Sequence, residues 1–208
     1  MPKLSLIIIA RNEEYRLSLL LPLMRSKFDE IIVVSQESTD CTEETALKYA
    51  DKVVNDTATG FAESSVKLAI SLASNDIIVR LDADELITHR LYEAALLMED
   101  HIDGLLCSRA HITTKQICEA RLCECMNYGE GLEGVHHLSE PMQYRVFRKS
   151  AVEVIETMHG GMWPKHMSTV RYLYFNGIIH IKTPMESVTD IIRYEAIKND
   201  IYDSNVHF

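Results

Sequence analysis

Short apolar runs alternate with helical stretches through the first half of the chain, and this alternation constrains the fold more than any other feature. Leu4 to Ala10 is an apolar run of strand length, interrupted only by Ser5. A leucine-rich helical stretch follows from Glu13 to about Met24, then a second run at Ile31 to Ser35. Asp40 and Glu43 stand at the spacing of a capping box, which predicts a helix through about Ala50 ahead of a short strand at Lys52 to Asn55. A helix from about Ala62 to Ala73 precedes a β-rich strand, Asp76 to Leu81, that ends in Asp82-Ala83-Asp84-Glu85. Strands separated by helices imply βαβ units, hence a mostly parallel sheet with helices on both faces.

The second half is less regular. It reads as a helix around Arg90 to Asp100, strands near Leu105 to Thr113 and Ile117 to Glu124, and a loop from Asn127 to Pro141. A strand at Gln143 to Arg148, one or two more between Val170 and Ile181, and a helix from Ser187 to about Tyr202 complete it. A length of 208 residues suits one α/β domain over 1–208. Residues 1–100, approximately, are expected to form a nucleotide-binding half and 101–208 an acceptor half.

What is missing narrows the function. The first glycine is Gly60, so the strand ending at Ala10 cannot feed a G-x-G-x-x-G turn or a P-loop, both of which bring phosphate against a glycine backbone. Dinucleotide-dependent dehydrogenases, P-loop NTPases and the sugar-nucleotide pyrophosphorylases with their glycine-rich loop are thereby excluded. Twenty-one basic against thirty-one acidic residues leave a formal charge of -10, which disfavours nucleic acid and anionic membrane as partners. No segment approaches the ~20 apolar residues of a membrane span, and the N-terminus lacks a signal-peptide pattern. Five cysteines, an odd number, are expected as reduced thiols in a cytoplasmic protein. The spacing of Cys118, Cys123 and Cys125 does not match the usual Cys-x2-Cys zinc pairs.

Asp82-Ala83-Asp84 is the sharpest motif. In an extended segment residues i and i+2 share a face, so both carboxylates converge at the C-terminal edge of the sheet, where α/β proteins bind ligands. A divalent cation between them and a ligand's phosphates makes the two like charges tolerable, and hard oxygen ligands suit Mn2+ or Mg2+. A solvated acidic turn is the bland alternative.

Leu4-Ser-Leu-Ile-Ile-Ile-Ala-Arg-Asn-Glu-Glu14, Asp29-Glu-Ile-Ile-Val-Val34, Glu37-Ser-Thr-Asp-Cys-Thr42 and Leu81-Asp-Ala-Asp-Glu85 stand in the order and spacing of family 2 glycosyltransferases with the GT-A fold. Over residues 4 to 90 the chain resembles the small bacterial enzymes that build lipopolysaccharide core and other surface glycans. Tyr144-Arg-Val-Phe-Arg-Lys149, Met158-His159 and the His180 that follows Ile178-Ile179 resemble later landmarks of that group, with Arg193-Tyr194 closing it.

The resemblance implies that Ala10, Asn12, Glu14 and Ser35 lie beside the donor nucleotide, that Asp82 faces ribose and metal, and that Asp84 ligates the metal. His159 and His180 are candidate third metal ligands or diphosphate contacts, and the His136-His137 pair is a weaker one. Three departures stand out: Ser35 replaces the family's base-contacting Asp, Cys41 replaces a Gly, and Val66-Lys67 replaces Arg-Asn, leaving Lys67 as a candidate diphosphate contact. Asp40 reads as a helix cap. Inverting transfer needs a base for the acceptor hydroxyl; Glu133, Glu140, Glu153 and Glu156 are candidates, and Glu156 is preferred because it precedes Met158-His159. Trp163 is placed to stack an acceptor sugar or to plug the core. The expected function is metal-dependent, inverting transfer from a nucleotide-diphosphate sugar to a saccharide or lipid-linked acceptor in surface-glycan synthesis. A non-catalytic nucleotide-sugar-binding domain and a glycosyltransferase acting on nucleic-acid bases are the alternatives.

Overall fold

The first half forms β1 (Leu4–Ala10), α1 (Glu14–Arg25), β2 (Glu30–Gln36), α2 (Thr42–Ala46), β3 (Lys52–Asp56), α3 (Glu63–Leu72), β4 (Ile77–Asp82), β5 (Glu85–Ile87) and α4 (His89–Leu96). The second forms β6 (Gly104–Thr113), β7 (Val135–His136), β8 (Gln143–Arg148), β9 (Val152–Val154), β10 (Met162–Pro164), a 3-10 turn at Met167–Thr169 and β11 (Val170–Lys182). The structure, a computed structural model, describes residues 2–57, 63–113, 126, 135–136, 142–155 and 161–182.

β1 and β2 are buried at every residue, because their apolar positions Leu6 to Ala10 and Ile31 to Val34 leave no solvent face and must be covered on both sides. Alternation divides each strand between two cores. Leu4, Leu6, Ile8, Ile31 and Val33 pack with Leu17 and Leu21 of α1, Ala46 of α2 and Leu91 of α4, while Ile7, Ile9, Ile32 and Val34 pack with Val66 and Ile70 of α3 on the other face. Val152, Val154 and Met162 of the β9–β10 hairpin join that second core.

One sheet runs through both halves in the order β3-β2-β1-β4-β8-β6-β11-β5, with β7 beside β6. β1 to β4 are parallel neighbours, as are β6 and β11, and most paired residues belong to these parallel ladders. β8 lies antiparallel to both β4 and β6 and so splices the two parallel groups.

Several predicted elements differ. α2 ends at Ala46, and Tyr49 and Ala50 turn back onto the Ala46 carbonyl. The capping box does not form: the N-cap is Cys41, and the Asp40 carboxylate instead accepts the Thr42 N–H. α4 stops at Leu96, and the region 170–181 is one strand with bulges around Asn176. β5, β9 and β10, each three residues long, were not predicted, and β7 interrupts the expected loop at 127–141. The predicted strand at 117–124 and helix at 187–202 lie outside the described residues. So do Cys118, Cys123 and Cys125; Cys41 is exposed and Cys107 buried, both as free thiols, and burial pushes the Cys107 pKa up to about 12. Among the described residues no helix is long and apolar enough to cross a membrane.

The N-terminal ends of four strands are tied together by one carboxylate. Glu30 accepts from Ser5 Oγ at 2.6 Å, Lys52 Nζ at 2.8 Å, Ser74 N–H at 2.7 Å and Ser74 Oγ at 2.8 Å. Burial opposes its ionisation, but the Lys52 ammonium and these donors outweigh burial and bring its pKa down to about 2. A carboxyl whose folded pKa is depressed stabilises the fold above its unfolded pKa, and that contribution is lost as pH falls from about 4.5 to about 2. Glu30→Gln should therefore cost on the order of 2–3 kcal/mol in urea unfolding at pH 7, and the difference from wild type should shrink steadily towards pH 2.

Candidate active site

Parallel strands deliver their C-terminal ends to one edge. Ala10 pairs with Ser35, Ser35 with Asn55, and Ile9 with Asp82, so these positions form a row along the edge of β1 to β4. The loops that follow β1 and β2 are stitched to each other. Asn12 sits at φ 56°, and its Oδ1 accepts the Thr39 N–H at 2.8 Å; the Asn12 N–H donates to Ser38 Oγ at 3.1 Å. Ser38 Oγ in turn lies 2.9 Å from the hydroxyl of Ser35, which is fully buried. Asp40 accepts the Glu14 N–H at 3.1 Å and the Thr42 N–H at 3.0 Å, so one carboxylate serves the first residues of α1 and α2. Burial opposes its charge, but these N–H groups and the Thr42 hydroxyl hold its pKa below the usual range. Glu14 turns its own carboxylate to the Cys41 N–H at 3.4 Å.

The Asp82-Ala83-Asp84 segment is a turn, not an extended run: Asp82 ends β4, Ala83 and Asp84 make the turn, and Glu85 opens β5. The two aspartates consequently find different partners. Asp82 Oδ1 accepts from Arg80 Nη2 at 2.5 Å and Oδ2 from Arg145 Nη2 at 2.9 Å. Glu85, fully buried, accepts from Arg145 at 2.7 Å and Arg109 at 3.1 Å through Oε1, and its Oε2 takes the Asp82 N–H at 3.1 Å. Burial disfavours the charge on Asp82, yet the guanidiniums of Arg80 and Arg145 outweigh it and hold its pKa far below the ordinary value. Arg145 is pushed the other way: burial disfavours its charge, but Glu85 and Asp82 hold the proton more tightly still. Arginines thus already balance the charge of Asp82, a role for which the sequence offered a divalent cation or solvent.

Asp84 faces His180. Their Oδ2 and Nε2 stand 2.7 Å apart, which places the imidazole proton on Nε2, and the buried Nδ1 meets no partner among the described residues. Burial opposes the Asp84 charge, but the bond to His180 carries its pKa below the ordinary value. β11 holds His180 in register with Glu85 on one side and His111 on the other; the two imidazole rings are 4.8 Å apart. Neighbouring ligands of an octahedral ion with ~2.1 Å bonds stand ~3 Å apart, so the Asp84 and His180 atoms already meet at nearly the separation a divalent ion needs once it displaces the Nε2 proton. Two protein ligands are enough where phosphate oxygens supply the rest. The residues present fit Mn2+ or Mg2+, although no cluster of three His, Cys, Asp or Glu converges in metal-binding geometry among the described residues.

Residues 5–120 match the family described as Glycosyl transferase family 2. The chain belongs to that family. A Rickettsia typhi protein described as an uncharacterised glycosyltransferase is 34% identical over 93 residues, 45% of this chain and 32% of that protein. A Rickettsia conorii counterpart is 36% identical over 91 residues, 44% of this chain and 32% of that one. The match therefore spans about a third of the length of these relatives. Among solved structures, Staphylococcus aureus TarS residues 1–349 superpose with a TM-score of 0.56 at 17% identity, over 94% of this chain and 64% of that chain. Glucosyl-3-phosphoglycerate synthase of Mycobacterium tuberculosis, solved with Mn2+, UDP and glucosyl-3-phosphoglycerate, gives 0.54 at 16%, over 100% and 83%. These likenesses show the GT-A fold.

For a family 2 chain, the candidates divide into three groups. Ala10, Asn12, Glu14, Ser35, Asp82, Asp84 and His180 are brought to the sheet edge or the loops above it. Lys67 is exposed in a groove of about 580 Å³ with Lys149, Glu153 and Lys165. The Lys149 N–H bonds the Asp76 carbonyl, at the opposite end of β4 from Asp82, a strand length of about 20 Å away. Trp163 is 57% exposed on β10, so it does not plug the core. Glu133, His137, Glu140, Glu156 and His159 lie outside the described residues, and of His136 only the backbone pairing with His111 is described. Sequence reasoning missed Arg80, Arg109, Arg145 and Glu85 as site residues. The available signal was Arg80, a charge inside the otherwise apolar run Ile77 to Leu81, which demands a buried anion.

The cross-linked loops rest on Asn12, whose positive φ favours Gly or Asn over other residues. Asn12→Ala should lower unfolding free energy by about 2 kcal/mol, through strain and the lost bonds to Thr39, and Asn12→Gly by roughly half of that. Urea denaturation of the two variants measures both.

Proposed function

We propose that this chain transfers a glycosyl group from a nucleotide-diphosphate sugar to an acceptor hydroxyl, with inversion at the anomeric carbon, in the assembly of a surface glycan or lipopolysaccharide. The observation that carries the reading is the turn at Asp82 to Asp84, held at the C-terminal edge of a GT-A sheet with Asp84 against His180. The presence of Mn2+ and UDP in the mycobacterial neighbour supports the choice of ligand class. Asp84 and His180 would hold Mn2+ or Mg2+, joined by Asp82, and the cation when bound would supply positive charge to neutralise the diphosphate leaving group.

The chain's own residues do the rest. Ala10, Asn12, Glu14 and Ser35 border the nucleotide, and buried Ser35 offers a hydroxyl where the family's aspartate would present a charge. Arg80, Arg109 and Arg145, each paired with Asp82 or Glu85, stand beside the edge where negative charge develops on the departing diphosphate. The acceptor oxygen bonds to the anomeric carbon as the carbon–oxygen bond to the diphosphate breaks, the bonding pair leaves with the diphosphate, and a carboxylate of the second half takes the hydroxyl proton. Glu156 is our candidate for that base. We take a saccharide or a lipid-linked molecule as the acceptor class.

A panel of UDP-, GDP-, CDP- and ADP-sugars, followed for release of nucleoside diphosphate with Mn2+ or with EDTA, tests the reading. One donor should be consumed only with metal; a donor that binds and stays intact with every acceptor offered would leave a binding domain instead. Asp84→Asn should reduce turnover of that donor at least ~10³-fold while its thermal unfolding stays close to wild type. Equal turnover by the variant, or by wild type in EDTA, would remove the metal from the reaction.

A further inference from the structure

The charges around the turn cancel before anything binds. Among the described residues, Arg80, Arg109 and Arg145 bond to Asp82 and Glu85, and Asp84 completes three carboxylates against three guanidiniums. Arg16, a further cation acting on Asp84, is already 2.9 Å from Glu13. A divalent cation arriving by itself meets an Asp82 whose two oxygens already accept from guanidiniums, with a third guanidinium close behind. That is a poor cation site. A diphosphate arriving by itself meets guanidiniums committed to carboxylates. Together they bring two positive and two to three negative charges, so the balance shifts by about one charge at most.

Burial says which bonds can open. Asp82 has 31% of its side chain exposed, whereas Arg80 has 9%, Arg145 5% and Glu85 none. An incoming ligand therefore meets Asp82 first, and Glu85 keeps its hold on Arg145 after Asp82 lets go. Exchange within such a cluster costs little only if each partner released is taken up by another.

We propose, resting on the nucleotide-sugar reading above, that Arg80 and Arg145 are exchange partners: they hold Asp82 until a nucleoside diphosphate takes their guanidiniums, and the released Asp82 completes the cation site. Divalent cation and diphosphate then bind cooperatively, and each weakly without the other.

Isothermal titration calorimetry of the full chain tests this with Mn2+ alone, with UDP, GDP, CDP or ADP in EDTA, and with the same nucleotides plus Mn2+. In wild type, Mn2+ should raise affinity for the accepted nucleotide by about tenfold or more. Arg145→Met should bind Mn2+ alone about tenfold more tightly than wild type, because a competing cation is gone, yet bind the nucleotide with Mn2+ more weakly. Arg80→Met should shift both affinities in the same opposite directions, and it leaves Glu85 with both its guanidiniums should Arg145→Met fail to fold. A folded variant in which both affinities fall together would reduce these arginines to scaffold and overturn the proposal. So would wild type binding Mn2+ as tightly alone as with nucleotide. Wild type that binds no nucleoside diphosphate even with Mn2+ would instead overturn the glycosyltransferase reading on which the proposal rests.

Discussion

A guanidinium in the middle of a sheet cannot shed its proton, so the carboxylates must come to it. Arg145 is 4% exposed on β8, the strand that splices the two parallel groups, and it meets this demand with Asp82 from the end of β4 and Glu85 from the start of β5. Both carboxylates reach one Nη2 only if the chain turns sharply between them. The Ala83–Asp84 turn is what an extended segment would have to give up for that, and Asp84 is turned out of line with Asp82 in consequence.

The rest of the edge follows from Glu85. Its burial fixes β5, whose antiparallel ladder with β11 sets His180 opposite Glu85, and the Ile181 N–H reaches the Asp84 carbonyl at 2.9 Å. His180 is thereby delivered to Asp84 by a strand almost a hundred residues away in sequence. Proximity of the imidazole to the turn is thus a product of sheet register, and any change that let β5 slip would move every side chain on it to the other face.

Much of this was legible before any coordinates. Apolar runs such as Leu6 to Ala10 announce strands buried on both faces, and the four motifs over residues 4 to 85 placed the loops at one edge of a GT-A sheet. What could not be read has physical causes. β5, β9 and β10 are three residues long, too short for a period to declare itself. Asp40 looked like one half of a capping box, but it is shared between two helix starts, and only the tertiary meeting of the two loops creates the second. Arg109 and Arg145 are separated from Glu85 by 24 and 60 residues, so no local pattern links them. Asp82 and Asp84 are adjacent in sequence, but the guanidiniums that balance Asp82 come from Arg80 and from Arg145 on another strand, which the spacing of the two aspartates alone does not reveal.

The two ends of the sheet use the same chemistry for opposite purposes. At the N-terminal end Glu30, 7% exposed, is met by an ammonium, two hydroxyls and an N–H from three other segments, so its bonds lock the strands in register. At the C-terminal end Asp82 is nearly a third exposed and its partners are charged guanidiniums, so its bonds are the ones for which an incoming anion and cation can compete. Stability is strongest where a carboxylate is saturated by fixed donors, and binding is possible where a carboxylate is balanced by charges that a ligand can replace. Placing these at opposite ends of the same parallel strands lets the site exchange its ions without loosening the register that holds it.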